Sequence, residues 1–139
     1  MAATLEVLKW RFFYSLGPLD RSLKCIDSSD VIIDLGTGLV EGHLVVDVTA
    51  IEIADNDENY KISLQGSSKS DFADTIEDLA ILELGALETL GGDVDSTTGR
   101  YLVPFRTERN GTIYQYVRVY GNVSGTIATG INYSAYLSK

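Results

Sequence analysis

Side-chain catalysis needs a proton-transfer group or a nucleophile held by a partner, and this sequence offers few starting points for one. Its single histidine, His43, opens an alternating apolar stretch, beside no Ser or Cys that spacing alone pairs with it. Its single cysteine, Cys25, can form no intrachain disulfide and reads as a small apolar residue. A structural zinc site takes about four ligands, which one Cys and one His cannot supply. The acidic turn Asp55-Asn56-Asp57-Glu58-Asn59 superficially resembles a calcium loop. However, Tyr60 stands where that loop needs Gly, and Gly66 where it needs the bidentate Glu. Asp93-Val94-Asp95 lacks a following acid at the right distance. Neither Gly36-Thr37-Gly38 nor Gly91-Gly92 precedes Lys-Ser or Lys-Thr, so no phosphate loop is legible. Among 20 acids, a glycosidase-like carboxylate pair carries no signal. These residues point to no catalytic site, no cofactor and no metal, and the chain reads as a binding protein rather than an enzyme.

The elements that would position any site are mostly strands. Residues 1–30 stand apart as an N-terminal arm or first strand, in which Trp10, Phe12, Phe13 and Tyr14 crowd before the breaker Gly17-Pro18. Aromatics this dense are costly in water, so the arm is expected to be covered. From residue 31 the pattern becomes β. Leu44, Val46, Val48 and Ala50 alternate with polar or smaller neighbours, and the shift to Ile51 and Ile53 suggests a bulge after Ala50. Tyr60, Ile62 and Leu64 alternate next. The spacing of Phe72, Ile76, Leu79 and Ala80 predicts one short helical turn over 71–77, followed by a strand near 79–84. Pro104 places the strand around Tyr101, Val103 and Phe105 at an edge or on a bulge. Asn110-Gly111 is a hairpin turn, residues 112–120 form the clearest strand, and 131–138 the last. Roughly seven or eight short strands with frequent turn signals predict an all-β antiparallel β-sandwich or barrel. A chain of 139 residues suits one domain.

The formal net charge of −9 disfavours nucleic acid as a direct partner. Residues 51–99 carry 12 acids and 2 bases, whereas residues 100–139 carry 1 acid and 5 bases. This describes either a solvated acidic face or a two-sided molecule whose basic, aromatic end meets a partner. No apolar run approaches the ~18 residues of a membrane span, and Leu5–Leu16, broken by Glu6, Lys9 and Arg11, does not read as a signal peptide.

The informative segment is the strand 112–120. Its alternation puts Ile113, Gln115, Val117 and Val119 on one face and Tyr114, Tyr116, Arg118 and Tyr120 on the other. Three tyrosines and an arginine in a row have the composition of protein interfaces. Tyrosine also favours strands in general, so half-buried sheet residues with wet hydroxyls are the plainer alternative. With Trp10, Phe12 and Phe13 of the arm, these four residues are the candidate interface.

Several segments occur in a telling order: Asp34-Leu35-Gly36, Tyr60 to Ser67, Gly99 to Phe105, Tyr116 to Val119, and Gly125 to Ile131. Over about residues 30–139 the set resembles the small capsid cement (head decoration) proteins of tailed bacteriophages. The resemblance implies that residues 31–139 form a sandwich of the jelly-roll type. It also implies that the protein binds the outside of an assembled head, is made in the host cytoplasm and ends on the virion. Such proteins form small homo-oligomers, often dimers, that bridge major capsid protein subunits, with no catalytic residues to carry over. Residues 1–30 depart from the pattern, being longer and more aromatic. A phage tail or neck protein and a carbohydrate-binding sandwich are the rival readings.

Overall fold

The structure, a computed structural model, describes residues 32–138 and the backbone of Lys9–Phe13 and Ser22–Cys25. Eleven strands run through the described residues. They are β1 (Lys9–Phe13), β2 (Ser22–Cys25), β3 (Ile33–Asp34), β4 (Glu41–Ile51), β5 (Asn59–Ser67), β6 (Ile76–Gly85), β7 (Gly99–Arg106), β8 (Glu108–Arg109), β9 (Thr112–Ile113), β10 (Tyr116–Ser124) and β11 (Ile131–Ser138). One short helix, α1 (Leu87–Leu90), follows β6. The expected all-β antiparallel sandwich is what forms.

One layer runs β1-β11-β4-β7 and the other β2-β10-β5-β6, with β3 beside β10. All pairings are antiparallel, and β1 also pairs β2 through Phe12↔Cys25 and Phe13↔Lys24, joining the layers along one side. The inner faces meet in a single apolar cluster. It takes Leu44, Val46 and Val48 from β4, Tyr60, Ile62 and Leu64 from β5, Val117, Val119 and Val123 from β10, and Ile131, Tyr133, Ala135 and Leu137 from β11. Strict alternation makes this possible: in β11 every second residue is buried, and each large aliphatic side chain so placed contributes about 1.5–3 kcal/mol.

The bulge falls one residue before the expected place. Thr49 is the extra residue of β4, because Asn132 opposes Ala50 while Tyr133 opposes Val48. Pro104 lies on β7, an edge strand, opposite His43. Asn110 (φ 53°) and Gly111 (φ 84°) turn the β8–β9 hairpin as their types require. The edge strand β6 carries its own bulge at Leu79, between Asp78↔Gln65 and Ala80↔Leu64.

Two expectations are corrected. Residues 71–77 are not helical: Phe72 has φ 54°, outside the right-handed helical region, and Ile76 already belongs to β6. The helical turn lies at Leu87–Leu90 instead, where Asp95 accepts the Leu87 amide at 2.9 Å and Gly91 closes the far end with φ 69°. The alternation of 112–120 also breaks. Residues 114–115 leave the strand, and the Tyr114 amide donates to the Thr107 carbonyl at 2.9 Å. Tyr114 therefore turns into the core and is 9% exposed. Gly66 makes the space for it, since a Cβ there would sit 2.8 Å from the Tyr114 Cβ.

Candidate functional site

The outward residues of β10 are Tyr116, Arg118 and Tyr120, while Val117, Val119 and Val123 face the core. Across the layer they line up with β5 and β6 in rows. Tyr116 is beside Ser67 and then Ile76, Arg118 beside Gln65 and then Asp78, Tyr120 beside Ser63 and then Ile81, and Asn122 beside Lys61 and then Glu83. On β5 small and large residues alternate along these rows, Ser67 and Ser63 on either side of Gln65. Ser63 and Ser67 are buried, while Ile81 (44%) and Tyr120 (37%) stand exposed on either side of Ser63.

Arg118 occupies the middle of this surface. Its Nε donates to Gln65 Oε1 at 3.0 Å. Its guanidinium lies 4.2 Å from the centre of the Phe72 ring and 5.9 Å from that of Tyr120, within reach of cation–π attraction. Phe72, Gln65 and Ile81 thus join the surface without having been expected there. The sequence spacing predicts Phe72 on a helical turn and Ile81 on a strand; the path of the 68–75 loop brings Phe72 over Arg118, and the cross-strand register puts Ile81 in the row of Tyr120.

Of the expected interface residues, Tyr116, Arg118 and Tyr120 share this outer surface, whereas Tyr114 does not. Trp10, Phe12 and Phe13 lie on β1, opposite Ala135, Tyr133 and Asn132 respectively; their side chains fall outside the described residues. The backbone of Cys25 pairs with that of Phe12, and its side chain also falls outside them.

Three of the described bases of residues 100–139 are engaged by the chain itself. Arg100 makes a two-pronged ion pair with Asp47 (2.7 and 3.1 Å), which raises its pKa. Arg106 meets Glu41 and Glu108, and Arg109 bonds a main-chain oxygen. The acidic partners of Arg100 and Arg106 come from β4 and β8, not from the acid-rich stretch 51–99.

The acidic turns likewise serve the chain itself. Glu58 is wholly buried and accepts the amides of Ala54 (2.6 Å), Asp55 (2.7 Å) and Asp57 (3.1 Å). Glu52 takes the amides of Ala128, Thr129 and Gly130; burial pushes its pKa up, but these donors outweigh it and leave the pKa lowered. Asp57 accepts the Thr126 amide and hydroxyl at 3.0 and 2.7 Å, and its pKa is lowered for that reason. Glu58 thus fixes the 54–58 turn on itself, while Glu52 and Asp57 hold that loop to the 125–130 loop at one end of the sandwich. Among the described residues no group of three or more His, Cys, Asp or Glu is placed to hold a metal ion, and no helix is long and apolar enough to cross a membrane.

No protein-family model matches the chain, and no curated protein matches it. Among solved structures, one of the Clostridium thermocellum N-terminal endo-1,4-beta-D-xylanase 10B, comprising CBM22-1 and GH10 modules with xylohexaose, is similar with a TM-score of 0.41 and 9% identity. The match covers 99% of this chain and 26% of that one. A likeness at this level carries no argument about function.

Proposed function

We propose that this protein binds the outer surface of an assembled phage capsid and stabilises it by bridging major capsid protein subunits. The observation that carries the reading is the order of the capsid-cement-like segments together with where they fall. Tyr60–Ser67 lies on β5, Gly99–Phe105 on β7 and Tyr116–Val119 on β10, and Gly125–Ile131 forms the loop clasped by Glu52 and Asp57 and the start of β11. The segments are thus the frame of the sandwich and not scattered surface text. The strand orders β1-β11-β4-β7 and β2-β10-β5-β6 support the finer reading of a jelly roll, two interlocked Greek keys. The Tyr116, Arg118 and Tyr120 row supplies a contact surface of suitable composition. Each contact can be weak, because many copies on one shell act together, and self-association into a small oligomer belongs to the same reading.

The test is co-sedimentation of the purified protein with mature, expanded capsids and with unexpanded ones. Stoichiometric binding to the expanded shells alone is expected. Binding to neither would remove the cement reading, and native mass and glycan binding would then decide between a tail ring and a carbohydrate-binding module.

A further inference from the structure

The loop of residues 68–75, between β5 and β6, buries a single side chain. Ser68, Lys69, Ser70, Asp71, Ala73, Asp74 and Thr75 are all exposed, and only Phe72 is buried. Yet Phe72 is not part of the apolar cluster between the layers; its ring lies on the outer surface, over Arg118. Among the described residues the loop's hydrogen bonds close on itself or on the end of β5. Phe72 donates its amide to Lys69, Ala73 to Asp71, Thr75 to Asp74, the Ser68 hydroxyl to Asp74, and Lys69 to Ser67. Phe72 also pays a conformational penalty, since a bulky residue at φ 54° sits where only glycine and a few polar residues settle readily. Strain of this kind gathers at ligand clamps and switches.

We propose that this loop is a flap, and that Phe72 holds on Arg118 the place of an aromatic side chain supplied by the protein partner. The occupant's chemistry is read from the chain's own stand-in. The seat is a guanidinium fixed by Gln65 and flanked by Tyr120, and an aromatic ring already fits it. A partner's ring free of backbone strain competes favourably with Phe72. Among the described residues, lifting the flap parts Phe72 from Arg118 and breaks no hydrogen bond beyond the end of β5, so it can occur without unfolding the sandwich. The partner affinity is then the intrinsic one reduced by the fraction of molecules with the flap open. This deepens the capsid-binding reading, and its binding arm rests on that reading.

The experiment has two arms. In the free protein, amide hydrogen exchange is followed at Phe72 and Ala73 and at Val117 and Val119. Exchange at the loop far faster than at β10 is expected; equal protection would overturn the flap, whatever the protein binds. In the second arm, wild type and Phe72→Gly are compared on expanded capsids. Glycine accepts the positive φ without strain, so the variant folds with the seat open. Its affinity rises by the closed-to-open ratio obtained from exchange, about tenfold or more. Equal or weaker binding by Phe72→Gly, with wild type still bound, would overturn the proposal. Absence of binding by wild type would instead remove the capsid reading. The stand-in is then tested directly on Phe72→Gly. N-acetylphenylalaninamide is expected to give a saturable shift of the Arg118 Nε–H resonance; acetate doing so in its place would show the seat takes a carboxylate and not a ring.

Discussion

The Arg109 guanidinium donates to the Leu79 carbonyl at 2.8 Å, reaching from the β8–β9 hairpin to the bulge of edge strand β6. A bulge releases main-chain groups from the ladder, and an edge offers them to other chains. Arg109 occupies one such group. Removing it in Arg109→Ala is expected to cost about 1–2 kcal/mol and to raise the tendency to associate through β6. Urea unfolding and light scattering at increasing concentration measure the two effects.

Glu58 is wholly buried and serves its own turn. A buried carboxylate accepting three amides leaves all three unsatisfied when truncated, so Glu58→Ala is expected to destabilise by about 3 kcal/mol or more. Glu58→Gln keeps one acceptor oxygen and should lose less. Urea midpoints at neutral pH rank the variants.

The carboxylates Glu52 and Asp57 make the fold sensitive to acid. Their folded pKa values lie below the ordinary 4.5 and 3.8. Below those ordinary values the unfolded chain takes up protons that the folded chain refuses, so stability is fully present above them and is lost as pH falls through the folded values. Thermal midpoints should be level near neutrality and decline below about pH 4.5. The double variant Glu52→Gln, Asp57→Asn should start less stable and show a flatter acid limb.

Gly66→Ala tests the inward turn of Tyr114. The added methyl meets the Tyr114 Cβ, which cannot swing away as the tip of a long side chain can. A loss of about 1–3 kcal/mol is expected, read by urea unfolding, with a change in the near-ultraviolet circular dichroism of the tyrosines.

On the outer surface, Tyr116→Ala combined with Tyr120→Ala should leave stability nearly unchanged while weakening capsid association. Co-sedimentation at wild-type levels would show that this row is not the contact.

Much of the frame is legible in the sequence. Alternation placed β4, β5 and β11, Asn110-Gly111 placed the hairpin, and Pro104 placed β7 at an edge, because each rests on local backbone chemistry. What escaped the reading depends on distant partners. Tyr114 continues a perfect alternation in one dimension, and only the empty side chain of Gly66, in another strand, lets it turn inward. Phe72 sits at helical spacing from Ile76, but its seat on Arg118, 46 positions further along the chain, decides its conformation. The acids of 52–58 look like a solvated cluster because nothing in their order reveals that Ala128, Thr129 and Gly130 present amides to Glu52. The outer surface exists only as rows across three strands.

The pairing of β1 with both β11 and β2 gives the sandwich a spine. Along that side the layers are sewn by backbone hydrogen bonds, while at the opposite side β6 and β7 approach each other as the free margins of two pages. Prying the layers apart therefore meets unequal resistance. Splaying at the β6 and β7 margin parts side-chain contacts and the Arg109 bond to Leu79, whereas splaying at the spine must tear main-chain ladder bonds. Under a sideways load the molecule opens like a book, with β6, α1 and β7 parting first and β1 and β2 holding longest.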